Sequence, residues 1–292
     1  MNGLVLINKP KDFTSFDVVA VMRRVLGTRK IGHTGTLDPM ATGVLPLLVG
    51  KATRLCDLMP SGDKSYRATL QLGITTDTLD STGKVLTRQE CHVTKEQFQA
   101  ILPQFTGEQM QLPPMYSAIS VNGVRLYDLA RQGKTVERTP RPIKVYSLGY
   151  VDGCEQTQTF TIEVACSKGT YIRSLIDDMG KALGCGATMT ELCRTAACGF
   201  DLSQCIDLVQ AKTMSADQLL LPIEKAVAGY PALTVTAPQG VRFQNGGPLD
   251  LARLPRNLTP QGIYRVLNPS GALLGLGRVD AEKERLSIQC LF

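Results

Sequence analysis

Gly32-His33-Thr34-Gly35-Thr36-Leu37-Asp38-Pro39-Met40-Ala41-Thr42-Gly43-Val44-Leu45 gathers three glycines, three threonines and a proline around one acid, Asp38. Turn formers at this density continue neither a helix nor a strand, whereas the apolar run from Val44 to Val49 reads as a strand. The stretch is therefore a loop delivered by rigid elements, where functional groups are most often presented. The glycines let another backbone or a ligand approach closely, and Pro39 fixes the backbone beside the carboxylate. On chemistry alone two readings stand: Asp38 acts on a ligand, or it caps a turn.

Upstream, Leu4 to Ile7 is a short apolar strand ended by Asn8-Lys9-Pro10. A helix follows, with Thr14 or Ser15 as its cap and Asp17 in its first turn. Val18, Val21, Met22, Val25 and Leu26 fall at helical spacing, and Gly27 ends it. Downstream, Tyr66, Ala68, Leu70 and Leu72 alternate with polar residues, as do Phe160, Ile162, Val164 and Cys166, which is the period of a half-buried strand. Thr94 and Gln97 resemble a capping box. Ile172, Leu175, Ile176, Met179 and Leu183 suit a helix closed by Gly184, and Asn268-Pro269-Ser270-Gly271 reads as a hairpin turn. Strands and helices do not alternate regularly, so the fold class is α+β. Residues 113–146, with prolines at their margins and six basic residues within, read as an irregular basic excursion. A small β-rich terminal domain starts between Pro231 and Pro238, which divides the chain into 1–231 and 232–292.

Composition narrows the chemistry. Of 292 residues 43% are apolar, enough for a real core, yet no apolar run approaches the roughly 20 residues that span a bilayer. The N-terminus lacks the pattern of a secretory signal, so the expected location is cytoplasmic. Nine cysteines include no C-x-x-C pair, and the two histidines are His33 and His92; neither a disulfide framework nor a metal site is expected. Gly50-Lys51 is followed by Ala52 and preceded five positions back by Leu45, so it is not a phosphate loop. Asp77-Thr78-Leu79-Asp80 lacks calcium-loop spacing, and no dinucleotide fingerprint or serine elbow occurs. No cofactor is expected. Basic residues outnumber acids eight to four in 1–60, six to two in 121–146 and seven to four in 232–292. Three separate basic segments suit an extended polyanion such as nucleic acid, or ordinary solvated surface.

The loop at 32–45 closely resembles the catalytic motif of the TruB-type tRNA pseudouridine synthases. The likeness recurs in family order. Leu6-Ile7-Asn8-Lys9-Pro10 resembles the opening motif, and Asp63-Lys64-Ser65-Tyr66-Arg67-Ala68 the tyrosine-bearing strand. Pro114-Met115-Tyr116-Ser117-Ala118, with Leu126-Tyr127 and Ala130-Arg131-Gln132-Gly133, resembles the RNA-binding insertion. Gly169-Thr170-Tyr171-Ile172-Arg173 and the residues to Asp178 resemble the arginine-bearing segment. The residues from about 232 resemble a PUA-type RNA-binding domain, a small β-barrel, on thinner motif content.

The resemblance implies a mixed, largely antiparallel sheet with flanking helices, and conversion of uridine-55 in the tRNA T loop to pseudouridine. Asp38, Tyr66 and Arg173 would be catalytic, with Arg173 beside Asp38 and lowering its pKa. Tyr66, Tyr171 and the backbone near Leu192 would meet the flipped base, and His33 would occupy or brace the space the base vacates. Lys9, Arg125, Arg131, Lys134 and Arg138 would meet RNA. The partner would be the T stem-loop of tRNA, with no metal, membrane or obligatory protein partner. Plainer readings stand beside these: Arg173 pairing with Asp177 one helical turn on, Tyr66 as core, His33 as a turn residue. Two rival functions share the scaffold: a catalytically silent RNA-binding or RNA-folding protein, and a synthase acting on another RNA.

Overall fold

A computed structural model describes residues 1–121 and 123–292. In chain order its elements are β1 (Gly3–Lys9), α1 (Ser15–Val25), β2 (Ile31–His33), β3 (Thr42–Val49), β4 (Lys64–Leu72), β5 (Ile74–Thr76) and β6 (Val85–Arg88). Then come α2 (Lys95–Ile101), β7 (Gly107–Gln111), β8 (Ser120–Val121), β9 (Val124–Arg125), α3 (Leu126–Arg131), β10 (Arg141–Cys154), β11 (Thr159–Cys166) and α4 (Ile172–Ala182). β12 (Ala187–Ala197), β13 (Phe200–Asp201) and β14 (Ile206–Asp207) complete the main sheet; β15 (Ala232–Thr234), β16 (Leu249–Asp250), β17 (Ile263–Leu267), β18 (Leu273–Asp280) and β19 (Arg285–Leu291) form a second one.

The main sheet runs β14-β1-β3-β12-β4-β11-β10-β7, with β2 on β3 and β13 on β12. Among the described residues its parallel pairs are β1/β14 and β3/β12, and the other pairings are antiparallel. This is a mixed, largely antiparallel α+β sheet. Its β3/β12 contact joins the end of the Asp38 loop to a strand far away in sequence.

The middle of β1, residues 4–7, and most of β3, residues 44–49, are apolar on successive positions because both faces are covered. Val5, Ile7, Leu45 and Leu47 pack against Val18, Val19 and Met22 of α1. Leu4, Leu6, Val44 and Leu48 share a core with Leu276 and Cys290 of the second sheet. β4 keeps its alternation: Tyr66, Ala68, Leu70 and Leu72 lie in a cluster with Leu175, Ile176 and Met179 of α4, while Arg67 pairs with Glu163 at 2.7 Å on the exposed face. The second sheet, ordered β15-β17-β18-β19-β16, has its own core around Phe243, Val266 and Leu286.

Local signals act as their chemistry dictates. Thr14 and Asp17 form a reciprocal capping box on α1, and Thr94 and Gln97 do so on α2. Asn268 side-chain Oδ1 accepts from the backbone N–H of Ser270 and Ala272, closing the turn between β17 and β18. Two boundaries differ from expectation. Gly32 and His33 belong to β2, paired with Leu48 and Leu47. Arg141 to Val145 already pair with β7, so the excursion ends near Pro140: a sheet partner overrides the break that Pro142 suggests.

Candidate active site

The loop at 34–41 leaves β2 and enters β3. Its backbone is fastened by Ser15 of α1 and by Asp12 in the turn before it. Ser15 Oγ accepts from Leu37 N at 2.9 Å and donates to Leu37 O at 3.3 Å; Asp12 N donates to Pro39 O at 2.8 Å. Leu37, Met40 and Ala41 are buried in the main core, and the Asp38 side chain between them is two-thirds buried. Gly43 closes the loop with φ +105°, and a Cβ there would lie 2.2 Å from the Arg194 carbonyl oxygen. Only glycine serves at that point.

Arg173, from the first turn of α4, reaches Asp38 with two nitrogens: Nε is 3.0 Å from Oδ2, and Nη2 donates to Oδ1 at 3.3 Å. The same guanidinium donates to Thr78 O at 2.9 Å and Tyr116 O at 2.8 Å, and Nη1 lies 3.4 Å from Asp80 Oδ2. The side chain is 6% exposed, against 34% for Asp38. Arg173 thus ties the loop, the β5–β6 connection and the excursion to one point. Asp177 pairs instead with Lys181, at 2.6 Å. Asp80 is itself buried, and its Oδ1 accepts from Thr78 Oγ1, Thr82 N and Thr82 Oγ1.

Electrostatically, burial pushes the Asp38 carboxyl above its ordinary pKa; Arg173 pulls it down, Asp80 pushes it further up, and Lys9 pulls it down. Arg173 thus lowers it as expected, but burial raises it by more. Tyr66 is 7% exposed, and burial pushes its phenol up to about 12, with Arg194 the strongest opposing influence. His33 has its pKa lowered by burial and then by Arg194, and its Nδ1 is buried without a partner.

Tyr171 caps α4, and Gln111 grips its backbone, accepting from Tyr171 N at 2.8 Å and donating to Tyr171 O at 3.0 Å. Leu192 is buried on β12 in the same cluster as Tyr66. Lys9 is a correction. It is completely buried, and Nζ donates to the carbonyls of Pro10, Phe13 and Pro39 at 2.9, 2.5 and 3.1 Å. Burial pushes its ammonium down to about 8, opposed by Asp38 and Asp12. No phosphate can reach it; it braces the Asp38 loop from below. In the excursion Arg125, Arg131 and Lys134 are exposed, and Arg131 lies over the Tyr127 ring at 5.3 Å. Arg138 turns inward and donates to Pro113 O at 2.9 Å.

Three residues go unnoticed in the sequence: Asp80, whose segment suggests only a calcium loop, Arg194, which looks like an ordinary polar position in a strand, and Gln111. Among the described residues no group of three or more His, Cys, Asp or Glu gathers as metal ligands would. Two surface cavities, one lined by Gln71, Gly73, Gln89 and Cys91 and one by Met110, Pro142 and Lys144, lie away from Asp38. Converging charged groups mark this site.

A family model described as "TruB family pseudouridylate synthase (N terminal domain)" matches residues 23–172, and one described as "tRNA pseudouridylate synthase B C-terminal domain" matches 173–228. The chain is 40% identical to a protein of Stutzerimonas stutzeri (strain A1501) named "tRNA pseudouridine synthase B", over 97% of this chain and 93% of that one. It is 42% identical to a protein of the same name from Clostridium perfringens (strain ATCC 13124), over 98% of each. Among solved structures, one titled "Crystal Structure of a Cbf5-Nop10-Gar1 Complex" matches with TM-score 0.75 at 25% identity, covering 99% of this chain and 84% of that one.

Proposed function

This chain belongs to the TruB family of tRNA pseudouridine synthases, which are isomerases, and we propose that it converts uridine-55 in the T loop of tRNA to pseudouridine. The observation that carries this reading is the two-nitrogen grip of Arg173 on Asp38, in a loop whose backbone is held by Lys9, Asp12, Ser15 and Arg194. The reaction breaks the bond from uracil N1 to ribose C1′, rotates the base, joins C5 to C1′ and moves one proton from C5 to N1. It is internally balanced and needs no redox partner, phosphate energy or metal. Asp38 works at the ribose, as nucleophile or as base, and both roles need the ionised carboxylate that Arg173 and Lys9 favour.

The target base must leave its stack, at a cost of roughly a few kcal/mol, and enter between the Asp38 loop and the Tyr66 face of the sheet. Tyr66 stacks on it and handles a proton, Tyr171 and the backbone near Leu192 line the slot, and His33 braces the space the base vacates. Gln111 fixes Tyr171 through its backbone, so β7 also contributes to the shape of the slot. The intact set Asp38, Tyr66 and Arg173 argues against a silent scaffold.

Residues 1–231 act as the catalytic domain, and 232–292 as a PUA-type domain that extends the grip on RNA from the cytoplasmic enzyme. Arg125, Arg131 and Lys134 contact phosphates. Changing these three to alanine is expected to weaken tRNA binding and flatten its salt dependence. Each phosphate released from a basic side chain should lower the slope of log K against log salt by about 0.7–0.9. A slope equal to that of the wild type would mean the excursion does not meet RNA.

Tyr66→Phe keeps the ring and removes the hydroxyl; Tyr66→Ala removes both. The phenylalanine variant should bind tRNA like the wild type but turn over far more slowly. The alanine variant should also hold a fluorescent base analogue at the target less well, since stacking is worth about 1–3 kcal/mol. Full activity in both would make Tyr66 simple core packing. The substrate itself is tested with an isolated T stem-loop, which should be converted as a whole tRNA is, whereas a transcript carrying cytidine at position 55 should gain no pseudouridine. Conversion elsewhere in that transcript would favour a synthase for another RNA.

A further inference from the structure

Arg194 is the largest of the fully buried side chains. Its Nε donates to Val44 O at 2.7 Å and its Nη2 to Gly35 O at 3.1 Å, but Nη1 is buried with no partner. None of the ion pairs among the described residues includes it. A buried cation with no counter-charge is costly, so its retention asks for a purpose.

Its position supplies one. At Arg194, β12 pairs with Gly43 of β3 on one side and with Tyr66 of β4 on the other. Residues directly opposite on antiparallel strands project from the same face as close neighbours. The guanidinium therefore stands between the Asp38 loop, which it holds at Gly35, and the Tyr66 ring. A neutral phenol cannot take a proton from carbon; a phenolate can, and the phenol so formed can return that proton to N1. Arg194 from β12, Cys166 from β11 and Asp38 from the loop act on the Tyr66 oxygen, and Lys64, two residues earlier on β4, is a second cation, which meets Arg194 at the Gly35 turn.

We propose that Arg194 is a positioning residue for the isomerisation: its fork pins the Asp38 loop at Gly35 and the start of β3 at Val44, and its uncompensated charge, opposite Tyr66 on the neighbouring strand, eases the loss of the phenol proton once the base is bound. This rests on the proton-handling role of Tyr66 proposed above.

The test places 3,5-difluorotyrosine, which is more acidic than tyrosine, at position 66 of the full chain and follows its titration by fluorine NMR. Single-turnover rates and tRNA affinity are measured in parallel on the unlabelled proteins. Arg194→Gln should raise the midpoint by about one unit or more. It should slow turnover about a hundredfold while tRNA affinity stays within about threefold. An unchanged midpoint in the folded variant would overturn the proposal.

Arg194→Lys keeps the charge and loses the fork, so it serves where the glutamine variant does not fold. Combined with Tyr66→Phe it closes a double-mutant cycle. The lysine change should slow the wild type about tenfold, but slow the Tyr66→Phe protein less than about twofold. Equal slowing in both backgrounds would make Arg194 a packing residue only and would overturn the proposal. Tyr66→Phe at the full wild-type rate is a different result: it removes the proton role of Tyr66 and this proposal with it, whatever the Arg194 variants do.

Discussion

Asp38→Asn is expected to yield a folded protein that binds tRNA as the wild type does and turns over at least about a hundredfold more slowly. The substitution keeps the shape and an acceptor for Arg173 but removes the charge proposed to work at the ribose. It should not destabilise the fold. A carboxyl whose pKa is raised on folding binds its proton more tightly in the native chain than in the unfolded one. Wild-type stability therefore falls as pH rises from the ordinary carboxylate value through the raised one, and asparagine escapes that loss. Melting curves at pH 4 and pH 7 should show the variant gaining on the wild type at the higher pH. A variant that melts well below the wild type at pH 7 would mean that the ion pair outweighs burial after all. Residual turnover above about a hundredth would count against an essential carboxylate.

Arg173→Met is expected to fail differently, losing both activity and stability. The guanidinium is nearly inaccessible and serves Asp38, Asp80, Thr78 O and Tyr116 O together. Its removal leaves Asp80 buried and facing Asp38 without a cation between them. Breaking a buried pair by deleting one partner costs about 3–5 kcal/mol, measurable by urea denaturation. Arg173→Lys should recover part of the stability but little of the rate, because an ammonium cannot reproduce the two-nitrogen grip. If the methionine variant kept wild-type stability, the contacts at Arg173 would be too weak to organise the site.

Much of the fold is legible in the sequence itself. The capping pairs Thr14/Asp17 and Thr94/Gln97, the alternation on β4 and β11 and the turn at Asn268 are local signals, and local signals survive folding. The Asp38 loop stands out because its glycines and hydroxyls suit no regular element. What stays hidden is long-range. Lys9 looks like a surface lysine beside a proline, and nothing in its neighbours tells that three carbonyls from Pro10, Phe13 and Pro39 close over its ammonium. Arg194 sits in a strand whose partners, Gly43 and Tyr66, lie far back along the chain. The sign of the Asp38 shift is hidden for a related reason: sequence motifs can place a cation beside it, but the depth of burial depends on how Leu37, Met40 and Ala41 seat the loop. Asp80 escapes notice because its turn invites only the question of metal-ligand spacing, whereas its partner is an arginine on a distant helix.

The most direct measurement is nucleotide-by-nucleotide chemical mapping of pseudouridine in an unmodified tRNA transcript after incubation with the wild-type protein and, separately, with Asp38→Asn. One new pseudouridine, at position 55 and present only with the wild type, is the predicted result. An unmodified transcript, a modification outside the T loop, or the same product from the asparagine variant would contradict it.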